Sequence, residues 1–82
     1  ILPVNEQEQY KGTVYIRTNE KIQALNRAYQ DLASIYTNVH FIDLYASFLD
    51  ESGQLREDFT TDGLHLTIAG YAMLSKALQP YL

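Results

Sequence analysis

The architecture of this chain follows from residues 18–44, which read TNEKIQALNRAYQDLASIYTNVHFIDL. Apolar side chains recur in this segment at three- and four-residue spacing, which predicts an amphipathic helix of about 18 residues. These apolar residues are Ile22, Leu25, Tyr29, Leu32, Ala33 and Tyr36. Thr18 or Asn19 suits the N-cap position of the helix, and Val39–Leu44 has the β-favouring composition of a strand.

A second strand is predicted before this helix. Ile1–Val4 is a short apolar run, and residues 6–18 read as a polar loop at the rim of a sheet. Strand, helix and strand form a βαβ unit with a right-handed crossover, so the predicted class is α/β. Because a parallel sheet normally has more than two strands and helices on both faces, we expect this unit to require further strands. The remainder of the same domain, or a swapped and intertwined homo-oligomer, would supply them.

The segment after the second predicted strand indicates a turn, a loop and a last helix. Asp50–Gly53 has the composition of a turn, and a polar loop follows as far as Thr61. Thr67 is placed to cap a helix over Ile68–Gln79, which Pro80 ends.

The composition is that of a small folded domain. The 82 residues are 46% hydrophobic and 12% aromatic, values that exclude a disordered chain. The net charge of −4 argues against a nucleic-acid partner, and the lack of cysteine excludes disulfides and thiolate-bound zinc. No apolar run approaches the roughly 20 residues of a membrane span. The chain starts at Ile1 without an initiator methionine, so we expect it to begin inside a longer protein, and its compartment stays open.

The motif that carries chemistry is Asp62-Gly63-Leu64-His65. An acid and a histidine three residues apart on a tight loop can lie side by side. The carboxylate then holds one imidazole nitrogen, and the other nitrogen can take a proton from a nucleophile. Asp62 and His65 are therefore predicted to be the orienting and basic members of a hydrolytic triad. A turn with a helix-entry ion pair is the non-catalytic interpretation of the same residues.

Other polar residues carry weaker signals. Asn5 and Glu6 follow the first predicted strand and are candidates for the lining of a substrate pocket. We expect a structural hydrogen bond for Asp43 and an exposed or hydrogen-bonded role for His40. The acids of the loop before the motif read as solvated charges, so no metal site is predicted.

The run DGLHLTIAGY, residues 62–71, resembles the last conserved block of the SGNH, or GDSL-type, esterases and lipases. Ile1–Val4 and Val39–Leu44 resemble the fourth and fifth strand segments of that family, and the helix between them fits in length. The pattern is similar to that of single-domain bacterial acylhydrolases related to the catalytic subunits of platelet-activating-factor acetylhydrolase. The resemblance covers essentially the whole chain.

This resemblance implies a flavodoxin-like three-layer α/β/α hydrolase, of which residues 1–82 are the C-terminal portion of a single domain. It implies hydrolysis of small or short-chain acyl esters, without a metal or organic cofactor. It also implies that Asp62 and His65 complete a triad with a serine from a Gly-Asp-Ser block. A glycine and an asparagine from two further blocks would form the oxyanion hole together with the N–H group of that serine.

The chain differs from the family pattern by omission. None of its serines follows Gly-Asp, and no Gly-x-Asn-Asp run is present. The serines are Ser34, Ser47, Ser52 and Ser75. Because loss of the nucleophile and of oxyanion donors costs orders of magnitude in rate, we predict that the chain alone is inactive. Two alternatives are a non-catalytic α/β binding module that keeps the Asp-His loop as a scaffold, and a flavodoxin-like ligand-binding domain. The second would need a phosphate-binding glycine loop, which we do not see.

Overall fold

The computed structural model describes all 82 residues as three α-helices joined by loops and short 3-10 turns. The helices are α1 (Lys11–Val14), α2 (Asn19–Ala33) and α3 (Ile68–Leu78). The 3-10 turns are Glu8–Tyr10, Tyr45–Phe48, Glu57–Phe59 and Gln79–Tyr81. None of the helices is both long and apolar enough to cross a bilayer.

The two longer helices begin at threonine caps, as predicted. Thr18 Oγ1 accepts a hydrogen bond from the backbone N–H of Lys21 at 3.2 Å. Thr67 Oγ1 accepts one from the N–H of Gly70, also at 3.2 Å. Each bond satisfies a backbone donor that the first turn of a helix leaves unpaired. The caps therefore confirm the predicted N-terminal ends of α2 and α3.

Two local predictions need correction. Helix α2 has 15 residues rather than about 18. The backbone N–H groups of Ile35 and Tyr36 bond to carbonyls three residues back, at 3.2 Å, so the chain tightens and leaves the α-helix after Ala33. The predicted loop over residues 6–18 contains α1 and a 3-10 turn, so it is only partly a loop.

The predicted βαβ unit does not form within this chain. Neither Ile1–Val4 nor Val39–Leu44 is a strand, and residues 39–42 make no backbone hydrogen bond. The β pairing that exists consists of two single antiparallel bridges, Leu49 with Leu55 and Thr60 with Leu66. A strand is stabilised only by hydrogen bonds to a neighbouring strand, and these two segments have no such neighbour here.

The first of these segments is held by a side chain instead of by a strand. The N–H of Val4 donates to Asn19 Oδ1, and the carbonyl of Val4 accepts from Asn19 Nδ2, both at 2.8 Å. The amide of Asn19 therefore pairs with both backbone groups of Val4, whose carbonyl also accepts a hydrogen bond from the N–H of Leu55 at 3.1 Å. Asn19 is buried at the start of α2, so this contact fixes the helix against the N-terminal segment.

The core lies between α3 and the loops that precede it. Its buried centre is formed by Phe48, Leu55 and Phe59. The rings of Phe48 and Phe59 meet edge to face, with centroids 5.5 Å apart and an interplanar angle of 65°. The half-buried residues that pack against this centre are Leu2, Leu44, Leu66, Met73 and Leu74. The core therefore anchors both ends of the loop that carries the Asp-His motif.

The apolar face of α2 is largely exposed in this chain. Leu25, Tyr29 and Leu32 are 41%, 46% and 51% exposed, and of the predicted stripe only Ala33 is buried. The periodicity predicted the helix correctly, but the surface that this face would cover is not formed by residues 1–82.

Candidate active site

Asp62 and His65 meet on the loop that leads into α3. Asp62 Oδ2 lies 2.6 Å from His65 Nδ1. The other carboxylate oxygen, Oδ1, accepts hydrogen bonds from the backbone N–H groups of Leu64 at 2.9 Å and His65 at 2.8 Å. Because an ionised carboxylate only accepts, Nδ1 must carry the proton of this contact, which leaves Nε2 as the free nitrogen. The pairing predicted from the spacing of the motif is present.

The carboxylate of Asp62 is strongly stabilised in its charged form. The hydrogen bond from the His65 side chain, followed by those from the N–H groups of His65 and Leu64, holds the pKa of the Asp62 carboxyl far below its usual value. An acid that stays ionised can balance a positive charge that develops on the neighbouring imidazole. This is the electrostatic role of the acid in a triad.

The tight reversal between acid and base depends on Gly63. Its φ angle is +86°, a backbone conformation that residues with a Cβ atom rarely adopt. A Cβ atom at this position would also lie 2.5 Å from Tyr10 Cβ and 2.9 Å from Val14 Cγ2. The carbonyl of Gly63 accepts a hydrogen bond from the N–H of Asn5 at 2.8 Å. The loop is therefore held from outside by the 3-10 turn, by α1 and by the N-terminal segment.

The free face of His65 points away from the rest of the chain. Its side chain is 73% exposed, and its hydrogen bonds go only to Asp62 and Thr60. The hydroxyls of Ser34 and Ser52 are bonded elsewhere, to Asp31 O at 2.6 Å and to Asp50 Oδ1 at 2.8 Å. No serine hydroxyl is hydrogen-bonded to the imidazole, so the structure brings together the two residues predicted as acid and base and places no serine hydroxyl against them.

The other residues considered from sequence occupy structural or surface positions. Asn5 is fully buried, and its Nδ2 donates to Leu55 O at 2.8 Å, so it is not part of a pocket wall. Asp43 Oδ1 accepts from the N–H of Tyr45 at 3.2 Å, which is the structural hydrogen bond expected. His40 is exposed, as predicted. Glu6 Oε2 lies 3.4 Å from the backbone nitrogen of Asn19, beside the start of α2.

No cluster of histidine and acidic side chains suited to a metal ion is present. Glu57 and Asp58 are exposed, and Asp58 pairs with Arg56 at 2.8 Å. A cavity of about 340 Å³ lies between α2 and residues 41–49, and neither Asp62 nor His65 lines it. The Asp-His pair and this cavity therefore lie in different parts of the chain.

Sequence reasoning missed Thr60, which shapes the site, and gave Asn5 a role other than the one that the structure shows. Thr60 Oγ1 donates to His65 O at 2.7 Å and accepts from the N–H of Gly63 at 2.9 Å. Asn5 reaches the same loop through its backbone. A threonine shortly before an Asp-Gly pair is a local signal, because threonine hydroxyls commonly bond to the backbone of turns. The contact of Asn5 joins segments far apart in sequence and has no local signal.

Comparison with known proteins places this chain in a family. Residues 2–73 match the model of the GDSL-like lipase/acylhydrolase family. A solved structure from Streptococcus pneumonia, described as that of a candidate platelet activating factor, has a TM-score of 0.97 and 58% sequence identity. The match covers 99% of this chain and 38% of that chain. A comparison with curated protein sequences found no match.

These likenesses support an SGNH-type α/β fold, although only single bridges, and no extended strands, form within residues 1–82. The chain spans about 38% of the length of the solved structure that it matches. The family model extends over the N-terminal segment, α2 and the Asp-His loop, which is well over half of the chain. The chain therefore belongs to the GDSL-like lipase/acylhydrolase family.

Proposed function

We propose that this chain supplies the Asp-His half of a Ser-His-Asp triad in a carboxylic ester hydrolase. The observation that carries the proposal is the 2.6 Å contact between Asp62 Oδ2 and His65 Nδ1, which leaves Nε2 free and solvent-facing. Family membership supports the same class of reaction. Residues 1–82 form the C-terminal portion of a single domain in this proposal, and the serine and the oxyanion donors come from the rest of that domain.

The mechanism follows from the two nitrogens of His65. Nε2 takes the proton of the serine hydroxyl as the oxygen attacks the ester carbonyl, and the resulting imidazolium is stabilised by the ionised Asp62. His65 then returns the proton to the departing alcohol oxygen, which releases the alcohol and leaves an acyl-enzyme. In the second half-reaction Nε2 takes a proton from water as the water oxygen attacks the acyl carbonyl. The bond between the acyl carbon and the serine oxygen then breaks, the carboxylic acid leaves, and His65 returns the proton to the serine oxygen. The proposed substrates are small or short-chain acyl esters.

Substitution in the full-length protein tests this proposal. His65→Ala is expected to lower kcat for p-nitrophenyl acetate by several orders of magnitude, about 10⁴-fold, because the general base is lost. Asp62→Asn is expected to cost a similar or somewhat smaller factor, since the amide no longer enforces the Nδ1–H tautomer. His40→Ala is the matched control, because His40 is the other histidine of the chain and is exposed.

The outcome that contradicts the proposal is a His65→Ala protein that hydrolyses the ester at the rate of the unmodified protein. Such a result would favour the non-catalytic binding module. We also expect residues 1–82 alone to show no hydrolysis above the uncatalysed rate in the same assay. Hydrolysis by this chain alone would mean that one of its own side chains acts as the nucleophile.

A further inference from the structure

Thr60 is a buried polar residue at the entrance of the Asp-His loop, and neither the motif nor the triad accounts for it. Thr60 is only 3% exposed. It forms a single antiparallel bridge with Leu66, on the far side of the loop. The carbonyl of the preceding core residue, Phe59, accepts a hydrogen bond from the N–H of Thr67 at 2.8 Å. Thr60 is therefore fixed by the core and by the start of α3.

The hydroxyl of Thr60 spans the loop from the inside. Its oxygen accepts from the N–H of Gly63 at 2.9 Å, and its proton goes to the carbonyl of His65 at 2.7 Å. Asp62 Oδ1 lies farther away, at 3.4 Å. Because a hydroxyl has one proton, the shorter contact to the carbonyl takes it. One side-chain oxygen thus ties the glycine at the reversal to the histidine at the end of the motif.

This brace matters because His65 has little else to hold it. Its imidazole is 73% exposed, so packing does not fix the ring. The direction of Nε2 is set by the Nδ1 contact to Asp62 and by the backbone of His65 itself. The backbone of His65 is restrained at its carbonyl by the Thr60 hydroxyl and at its N–H by Asp62 Oδ1, 2.8 Å away. Loss of the hydroxyl would leave the Gly63 N–H and the His65 carbonyl without this partner, and the loop would relax around the ionised Asp62.

We infer that Thr60 is a positioning residue of the proposed hydrolase. Its hydroxyl fixes the backbone conformation of His65 and thereby the direction in which Nε2 points. The inference rests on the proposed function, since the orientation of Nε2 matters for catalysis only if Nε2 takes a proton. Thr60 touches no reacting atom. Its effect is on the fraction of molecules in which the base points correctly, so it acts on the chemical step and not on substrate binding.

Two substitutions separate the hydroxyl from the rest of the side chain. Thr60→Val keeps the branched shape and removes the hydroxyl, whereas Thr60→Ser keeps the hydroxyl and removes the methyl group. In the full-length protein with p-nitrophenyl acetate, we expect Thr60→Val to lower kcat by up to about a hundredfold, the loss that a misplacement of about 1 Å can cause, with KM unchanged. Thr60→Ser is expected to retain kcat.

A second readout does not depend on activity. A proton held between Nδ1 and a carboxylate gives a low-field NMR signal, and the loss of this signal in His65→Ala would identify it. We expect it to persist in Thr60→Ser and to be lost or broadened in Thr60→Val. A purely structural role would change the unfolding temperature of Thr60→Val while leaving the signal and kcat of the folded protein intact.

Three outcomes overturn the inference. They are an unchanged kcat and signal in folded Thr60→Val, a loss of kcat in folded Thr60→Ser, and a rise in KM without a change in kcat. Where the Val variant does not fold, a loss of kcat in folded Thr60→Ser still overturns the inference. Failure of the proposed function is recognised separately. In that case His65→Ala keeps its activity, while the NMR signal still reports whether the Thr60 hydroxyl positions the pair.

Discussion

Gly63 is subject to two independent constraints. Its φ angle of +86° lies in the region that favours glycine, and a Cβ atom would lie 2.5 Å from Tyr10 Cβ. Gly53 has nearly the same angle, +82°, but a Cβ atom there would meet nothing within 4 Å. A residue with a Cβ atom would therefore have an unfavourable backbone conformation at either position, and only at Gly63 would it also clash with its neighbours.

Alanine substitution at these two glycines separates the penalties. We expect Gly53→Ala to lower the free energy of unfolding by about 1–2 kcal/mol, the cost of a left-handed conformation for a residue with a Cβ. Gly63→Ala is expected to cost roughly 1–3 kcal/mol more, because Tyr10 and α1 must move to admit the methyl group. Urea unfolding of the two variants measures the difference.

Gly12→Ala is a third variant for the same experiment. Gly12 lies within α1 and has open space around the added methyl group, so this change should stabilise the protein slightly or leave it unaffected. Equal losses in Gly53→Ala and Gly63→Ala would show that the contact between Tyr10 and the loop is soft. The loop would then be less firmly held than the close approach implies.

The sequence predicted the contact between Asp62 and His65 because all the information for it is local. Asp62 and His65 are three residues apart, and the bonds of Asp62 to the N–H groups of Leu64 and His65 stay within one turn. These contacts of Asp62 with the imidazole and backbone of His65 join near neighbours, so a local sequence pattern can predict them. The support from Asn5 could not be predicted in this way, because it depends on contacts with residues some 50 positions away.

Helices and strands also differ in how far apart in sequence their hydrogen-bonded residues lie. Helix hydrogen bonds join residues three or four apart, so the caps at Thr18 and Thr67 marked the helix starts correctly. Strand hydrogen bonds join distant segments, and residues 39–42 make none in this chain. The composition of Val39–Leu44 therefore favours a strand only where a second strand pairs with it. Composition alone does not identify the segment that supplies the second strand.

The two threonine caps offer a comparison of helix starts. Thr18 Oγ1 accepts from Lys21 N–H only, whereas Thr67 Oγ1 accepts from Gly70 N–H and donates to Asp58 O at 2.9 Å. We expect Thr18→Ala to lower the free energy of unfolding by about 1 kcal/mol through loss of the cap. Thr67→Ala is expected to cost about 1 kcal/mol more, because it also removes the bond to the loop before the motif.

Serine substitutions are the matched controls for these caps, since serine keeps the hydroxyl that each contact uses. Thermal or urea unfolding of Thr18→Ser and Thr67→Ser should give values close to those of the unmodified protein. If Thr67→Ala costs no more than Thr18→Ala, then the bond to Asp58 O does not contribute to stability. Helix α3 would then be attached to the preceding loop through the apolar core alone.

At the scale of the whole molecule, the chain has more apolar surface than its own core can cover. The exposed large side chains of α2 and of the segment after it are Leu25, Tyr29, Leu32, Ile35, Tyr36 and Val39. Residues 39–42, which follow α2 in the sequence, make no backbone hydrogen bond. An exposed apolar helix face and an unpaired backbone segment are what a βαβ unit presents when the rest of its sheet is not in place. This agrees with a chain that covers 38% of the solved structure it matches.

A polar substitution on this face should affect stability differently in residues 1–82 alone and in the full-length protein. Leu32 is 51% exposed in residues 1–82, so we expect Leu32→Gln to leave the stability of this chain nearly unchanged and to reduce its self-association. In the full-length protein we expect the same change to lower the free energy of unfolding by about 2 kcal/mol or more, because a buried leucine is replaced by an amide. Urea unfolding and sedimentation of both forms measure the two effects.

Gln30→Ala on the opposite side of α2 is the control, since helical phase places it away from the stripe and its loss should matter little in either form. A Leu32→Gln protein with unchanged stability at full length would mean that the rest of the domain does not cover this face. The apolar periodicity of α2 would then have to serve contacts with another molecule. A large loss of stability in residues 1–82 alone would instead mean that α2 is packed more closely there than its exposure indicates.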